Sequence, residues 1–209
     1  VTMGGQVPAF AFTPPSEAGY QPPSVIAYDP DKAREYLKKA GYEKGSDVPE
    51  FAIIINTSEA HQSIAVAIQD MWKKTLGITK VKIENQEWKV FQQTVQDLNY
   101  SVSRAGWIAD YVDPTTFLNM WVTGDSNNET GWSNATYDGL IRESAQLADP
   151  AARYAKLREA EAVLLDELPV LPVYWYTRVY LLSPDVQGWD PLLLDNHPYK
   201  HIRLESVGR

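Results

Sequence analysis

The chain has 209 residues, 44% of them hydrophobic and 22% charged; this is the composition of a globular domain large enough to bury a core, and it excludes disorder as the overall state. A formal charge of −8 argues against nucleic acid, whose phosphates call for a basic surface, and the absence of cysteine excludes disulfides, thiolate metal sites and cysteine nucleophiles. The excess is aromatic, 7 Trp and 12 Tyr, which serves either a thick core or flat recognition surfaces that carry a polar handle.

No apolar run approaches the roughly 18 residues of a membrane span. The opening Val1-Thr2-Met3-Gly4-Gly5-Gln6 has neither a basic start nor an apolar stretch behind it; a cytosolic protein, a mature protein and a fragment are all compatible with that.

Residues 1–28 are rich in proline and aromatics, among them Pro8, Phe10, Phe12, Pro14, Pro15, Tyr20, Pro22 and Pro23. Helix would be broken there repeatedly, so an extended segment lying against something else is expected. Asp29-Pro30 then supplies a cap and a first helical residue, with Ala33, Tyr36, Leu37 and Ala40 as the apolar stripe and Gly41 as the stop. Residues 51–56 form a short, nearly continuous apolar run, as expected of a buried strand. Thr57 or Ser58 caps a helix that carries Ile64, Ala67, Ile68, Met71 and Trp72 on one face and closes at Gly77. Residues 78–86 alternate as a strand, 87–98 place Trp88, Phe91 and Val95 on one helical face, and 99–107 read as a third strand. This alternation predicts an α/β layer structure with a mixed sheet flanked by helices.

Asp113-Pro114 opens a short helix to about residue 122, followed by a polar loop over 123–134 and helices over 136–148 and 150–168. Residues 170–182 read as a strand that Pro172 places at an edge or a bend. The tail carries Pro184, Gly188, Pro191 and Pro198, and alternates again from His201 to Leu204.

Two stretches could carry chemistry. In Arg104-Ala105-Gly106-Trp107-Ile108-Ala109-Asp110-Tyr111-Val112-Asp113-Pro114 a strand ends and a helix begins, the place where open α/β folds hold ligands. Asp113 reads as the helix cap. Asp110, three residues earlier, reads either as an ion-pair partner of Arg104 or as a fixed carboxylate that, beside aromatic rings, suits an ammonium group. A catalytic Asp110–Asp113 pair of the glycosidase kind is the weaker alternative. His61, in the first turn of a helix after a strand, faces either solvent or a cleft. His197 and His201 do not make a metal pair, because Pro198 disfavours helix between them. No phosphate loop or nucleophile elbow is present. Asn128-Glu129-Thr130 and Asn134-Ala135-Thr136 match the glycosylation sequon, a motif common by chance. In Tyr174-Trp175-Tyr176 alternation sends the two tyrosines to one face.

Taken in order, Asn56-Thr57-Ser58-Glu59-Ala60-His61, Ile68-Gln69-Asp70-Met71-Trp72-Lys73-Lys74-Thr75-Leu76-Gly77, Glu87-Trp88-Lys89, Arg104 through Tyr111, Pro114-Thr115-Thr116-Phe117-Leu118 and Pro172-Val173-Tyr174-Trp175-Tyr176 resemble the C-terminal part of the oligopeptide-binding proteins of bacterial ABC transporters, solute-binding protein family 5. The resemblance runs through nearly the whole chain. It implies a receptor lobe, not an enzyme, with no cofactor and no metal. The ligand is an extended oligopeptide held by backbone contacts, with side chains in hydrated pockets. By the same resemblance Asp110 matches the carboxylate that binds the peptide ammonium, and Trp107 and Trp88 match pocket walls. Arg104 and His61 match residues that meet the peptide carboxylate, and Tyr176 matches a tyrosine that contacts peptide. Val95 stands where the best-known oligopeptide receptors carry arginine, and Ile108 replaces a frequent cysteine. The implied partners are an ABC permease and an N-terminal lobe not contained in these residues, and the implied location is periplasmic or envelope-anchored. Residues 1–28 and 183–209 resemble the crossings between lobes, with 29–182 as the ligand-binding lobe. The remaining alternatives are a family 5 receptor for dipeptides, murein peptides or other small solutes, a glycan-binding module or glycoside hydrolase, and a purely structural interaction domain.

Overall fold

A computed structural model describes residues 4–15, 19–190 and 194–205; Pro191 and the ends of the two extended segments lie outside them. The element order is β1 (Val7–Pro8), α1 (Pro30–Lys39), β2 (Phe51–Asn56), α2 (Glu59–Leu76), β3 (Val81–Gln86), α3 (Trp88–Gln96), β4 (Val102–Ser103), α4 (Thr115–Leu118), α5 (Ala135–Ser144), α6 (Pro150–Glu167), β5 (Tyr174–Trp175), β6 (Val186–Gln187) and β7 (Arg203–Leu204). Both parallel and antiparallel pairing occur, but in separate sheets. The three-stranded sheet, in order β3-β2-β4, is wholly parallel, while β1–β5 and β6–β7 are antiparallel ribbons.

The central sheet is covered on both faces, which is why β2 is apolar at successive positions rather than alternating. Ile53 and Ile55 pack with Ala65 of α2, Ile78 and Val81. Ile54, pointing the other way, packs with Phe91 and Val95 of α3. The caps fall where expected: Asp29 accepts from Asp31 and Lys32, Ser58 accepts from the His61 N–H, and Gly77 ends α2 at φ 73°, a left-handed turn that costs glycine little.

The second half packs on α6. Trp121, Tyr137, Ala160 and Leu164 form one buried cluster, and Tyr20, Leu118 and Leu157 another. The extended N-terminal segment lies in this half, with the Phe12 ring edge-on to Trp121 and to Phe117. Thr13 and Tyr20 are buried against Glu161, a carboxylate with no exposed surface. Glu161 accepts from the Thr13 N–H at 2.7 Å and from the Tyr20 hydroxyl at 2.6 Å. Farther along α6, Glu167 accepts from the Trp132 indole N–H and from the Asn134 amide.

Several expected elements are shorter in the structure. The strand expected over 99–107 is Val102–Ser103, and its ladder stops after the Arg104 N–H to Ile54 carbonyl bond of 2.9 Å, because Arg104 and Gly106 turn aside to pack against Tyr176. The strand expected over 170–182 is Tyr174–Trp175, since its partner β1 is two residues long and ends in a proline. The strand expected over 78–86 begins at Val81, after the Gly77 turn. Helix 87–98 stops at Gln96, with Leu98 at φ 53°. Helix 136–148 is Ala135–Ser144, and the segment after Pro114 is one α-turn followed by a 3-10 turn over Asn119–Trp121. His201 belongs to a 3-10 turn, not a strand. Asn128 spends its amide on the Trp121 and Trp132 carbonyls, and Asn134 caps α5, so both sequons are turn chemistry.

Candidate functional site at the strand ends

In a parallel sheet all strands point their carboxyl ends to one edge, and the loops leaving that edge build the site. His61 sits in the first turn of the helix after β2, and Trp88 opens the helix after β3. Arg104, Trp107 and Asp110 lie on the segment that leaves β4. Five of the six expected residues therefore come from the three consecutive loops of one sheet edge. The sixth, Tyr176, follows β5, and its hydroxyl accepts a hydrogen bond from the Arg104 guanidinium.

The electrostatics of this edge follow from those contacts. The His61 ring nitrogen Nδ1 lies 3.4 Å from the Asn56 carbonyl oxygen. Burial lowers the imidazole below its ordinary value, the positive charge of Arg104 lowers it further, and the Asn56 contact opposes both. Tyr174 stands edge-on to Tyr176 with ring centroids 5.2 Å apart, and burial together with the Tyr176 hydrogen bond pushes its hydroxyl up to about 12. A cavity of about 330 Å³ opens between α2 and the β1–β5 ribbon, with His61, Glu59 and Ile64 on one wall and Gln6, Tyr174 and Tyr176 on the other.

Asp110 is exposed, and its backbone N–H donates to the buried Thr116 hydroxyl at 3.0 Å. Its carboxylate has no ion-pair partner among the described residues; Arg104 turns to Tyr176 instead, so the internal Asp110–Arg104 pair is not formed. Asp113 behaves differently. It accepts from the Thr115 N–H and hydroxyl and takes a two-pronged ion pair from Arg153, both contacts at 2.8 Å. Burial pushes its carboxyl up, but the Arg153 and Thr115 hydrogen bonds outweigh that and hold it below the usual carboxylate range. With both oxygens committed to Arg153, Asp113 does not form a hydrolytic pair with Asp110.

Trp88 is half exposed and stacks on Phe91 at 6.1 Å. Trp107 is half-buried, its indole N–H enclosed without an acceptor among the described residues. Val95 is buried on the sheet beneath Phe91, so the position offers no cation. Sequence reasoning missed Asn56 and Gln86, in register at the ends of β2 and β3, each with an enclosed side-chain oxygen that has no donor among the described residues. The available signal was an amide closing each strand run. Among the described residues no group of acidic and histidine side chains could hold a metal, and no helix is long and apolar enough to cross a membrane.

The chain is similar to known proteins over most of its length. The family model for bacterial extracellular solute-binding proteins, family 5 (middle), matches residues 1–129. The oligopeptide-binding protein OppA of Bacillus subtilis is 36% identical over 90% of this chain and 36% of its own length. The periplasmic oligopeptide-binding protein OppA of Salmonella typhimurium is 37% identical over 96% of this chain and 38% of its own. Among solved structures, Haemophilus influenzae OppA in complex with the peptide RPPGFSPFR superposes with a TM-score of 0.83 at 33% identity, covering 96% of this chain and 40% of that one. The Escherichia coli murein tripeptide binding protein MppA gives the same TM-score, 0.83. The chain thus spans well under half the length of these relatives, and it belongs to family 5 of the bacterial extracellular solute-binding proteins.

Proposed function

We propose that this chain is one lobe of a receptor that delivers peptides to an ABC permease outside the cytoplasm, with the second lobe contributed by sequence beyond these residues. Residues 29–182 form the ligand-binding lobe, and 1–28 and 183–209 carry the crossings between lobes. The observation that carries the reading is the convergence of His61, Trp88, Arg104, Trp107 and Asp110 on the loops of a single sheet edge. It is supported by similarity to a relative solved with a bound peptide.

Asp110 anchors the peptide ammonium: its carboxylate is exposed and without an internal cation. Trp107 and Trp88 supply apolar walls, Arg104 and His61 meet the peptide carboxylate, and Tyr176 closes the site from the ribbon side. A free carboxylate beside aromatic rings attracts an ammonium by charge and by its contact with the ring faces.

The test is calorimetry with tri- to pentapeptides. The 209 residues alone are expected to bind at millimolar strength, because half a cleft leaves one side of the peptide in water; micromolar binding by this chain would overturn the half-site reading. In the protein that includes the second lobe, Asp110→Asn is expected to weaken free-amine peptides on the order of 30-fold or more, since losing one member of an enclosed charge pair costs roughly 2–5 kcal/mol. N-acetylated peptides should be spared, and equal loss for both would remove Asp110 from the anchoring role.

A further inference from the structure

Arg104 and Tyr176 join two parts of the molecule that belong to separate hydrogen-bonded sheets. Arg104 extends the ladder of the central parallel sheet through its 2.9 Å bond to Ile54. Tyr176 belongs to the two-stranded ribbon, which is held by the Val7–Trp175 and Pro8–Tyr174 pairs. The Ala9 N–H to Val173 carbonyl bond of 3.2 Å and the Thr177 hydroxyl to Gly4 carbonyl bond of 2.7 Å extend that pairing. The backbone of Gly106 covers the junction: a Cβ there would lie 3.1 Å from Arg104 Nη2 and 3.2 Å from the Tyr176 hydroxyl, so only glycine fits without moving the pair. The cavity beside it has the ribbon as one wall and α2 as the other.

A guanidinium that donates to a neutral phenol has a stronger alternative. A carboxylate accepts from the same fork through two charge-assisted hydrogen bonds, each about twice as strong as a neutral one. A ligand carboxylate arriving at Arg104 therefore competes with Tyr176 for the same N–H groups. Only an interaction that differs between two states can shift their balance, and this exchange is such a difference.

We propose that Tyr176 is a relay: it holds Arg104 while the lobe is empty and is displaced when a peptide carboxylate takes the guanidinium, which releases the β1–β5 ribbon from the sheet edge. This rests on the peptide-binding reading and adds to it a ligand requirement. Peptides with a free C-terminal carboxylate move the ribbon; amidated ones do not.

The experiment is ¹H–¹⁵N NMR on the 209-residue chain, titrated with a tripeptide and with its C-terminally amidated twin. Two probes are followed, the Arg104 side-chain Nε–H and the ribbon amides of Ala9 and Trp175. The carboxylate peptide is expected to shift both and to speed exchange of the Ala9 amide several-fold, as a loosened ribbon requires. The amidated twin should leave the ribbon unmoved. In Tyr176→Phe, which keeps the ring, the ribbon amides should stand near their ligand-bound positions without ligand, while Arg104 still responds to the carboxylate. A response at Arg104 with no ribbon shift, or a Phe variant whose ribbon keeps the ligand-free wild-type positions, overturns the relay and leaves peptide binding intact. Silence of both probes up to about 10 mM of either peptide overturns the binding reading and the relay with it.

Discussion

His61 and Arg104 bring two groups that can both be cationic to the same sheet edge, and they resolve the conflict by leaving one neutral. Burial is the larger cause of the lowered imidazole and Arg104 the second. The sign follows directly. The folded protein disfavours the imidazolium, so His61 costs stability as the pH falls below the ordinary histidine range and costs nothing above it. Arg104→Met removes the second cause but not the first. It is expected to move the His61 midpoint up toward the ordinary value, read from the imidazole carbon-bound protons by NMR; an unmoved midpoint would separate the two side chains electrically. The edge thus carries the Arg104 guanidinium beside a disfavoured His61 imidazolium, with the exposed Asp110 side chain farther along the same segment.

Loops of this kind hold their shape only if something outside them fixes their backbone. The segment leaving β4 is pinned twice, by the Asp110 N–H on Thr116 and by Asp113 on Arg153 of α6. Asp113→Ala is expected to cost roughly 1–2 kcal/mol, because the pair is only partly enclosed and water screens part of its value. The cost is readable as a lower midpoint in urea. Because the folded carboxyl lies below the usual range, this contribution is present above that range and is lost as the pH falls through the folded value. The variant should therefore show a flatter acid limb than the wild type, and an unchanged limb would count against the assignment. At this scale the sequence was legible where local rules decide. Asp29, Ser58 and Asp149 start helices through their own side chains, and Gly77 ends one through its backbone. It was not legible where a partner decides: the extents of β4 and β5 depend on where Arg104, Gly106 and Pro8 meet residues far away in the chain, and no window over 99–107 or 170–182 contains that information.

The described residues form a parallel three-stranded layer joined to a helical half, with the N-terminal segment fastened to the latter by the buried Glu161. The covered sheet and the positions of its loops could be read from periodicity. The order of the loops, which brings His61, Trp88 and Arg104 together, followed once the strands were seen to be parallel. Glu161 could not be read as a fastening, because a glutamate on a helix is ordinarily solvated; its signal was its place between Leu157 and Leu164 on the apolar stripe. Burial raises its carboxyl, against the hydrogen bonds from Tyr20 and Thr13. A raised carboxyl contributes stability that is complete below the unfolded value and is lost as the pH rises through the folded one. Glu161→Ala leaves two enclosed donors without an acceptor and is expected to cost about 3 kcal/mol or more. Glu161→Gln should lose less and should remove the pH slope between the unfolded and folded values. A slope that survives in the glutamine variant would assign it to another group.

One helix carries all three of these tethers. Arg153 holds the loop after β4, Glu161 the N-terminal segment, and Glu167 the Trp132–Asn134 turn. At 1.5 Å per residue the first two lie about 12 Å apart along the axis and the last two about 9 Å. The eighteen residues of α6 therefore act as a ruler. The spacing between the attachments of the loop after β4 and of the extended segment along α6 is set by helical rise. A one-residue insertion between Arg153 and Glu161 would turn one anchor about 100° from the other, dislocating the loop after β4 without touching a residue of that loop.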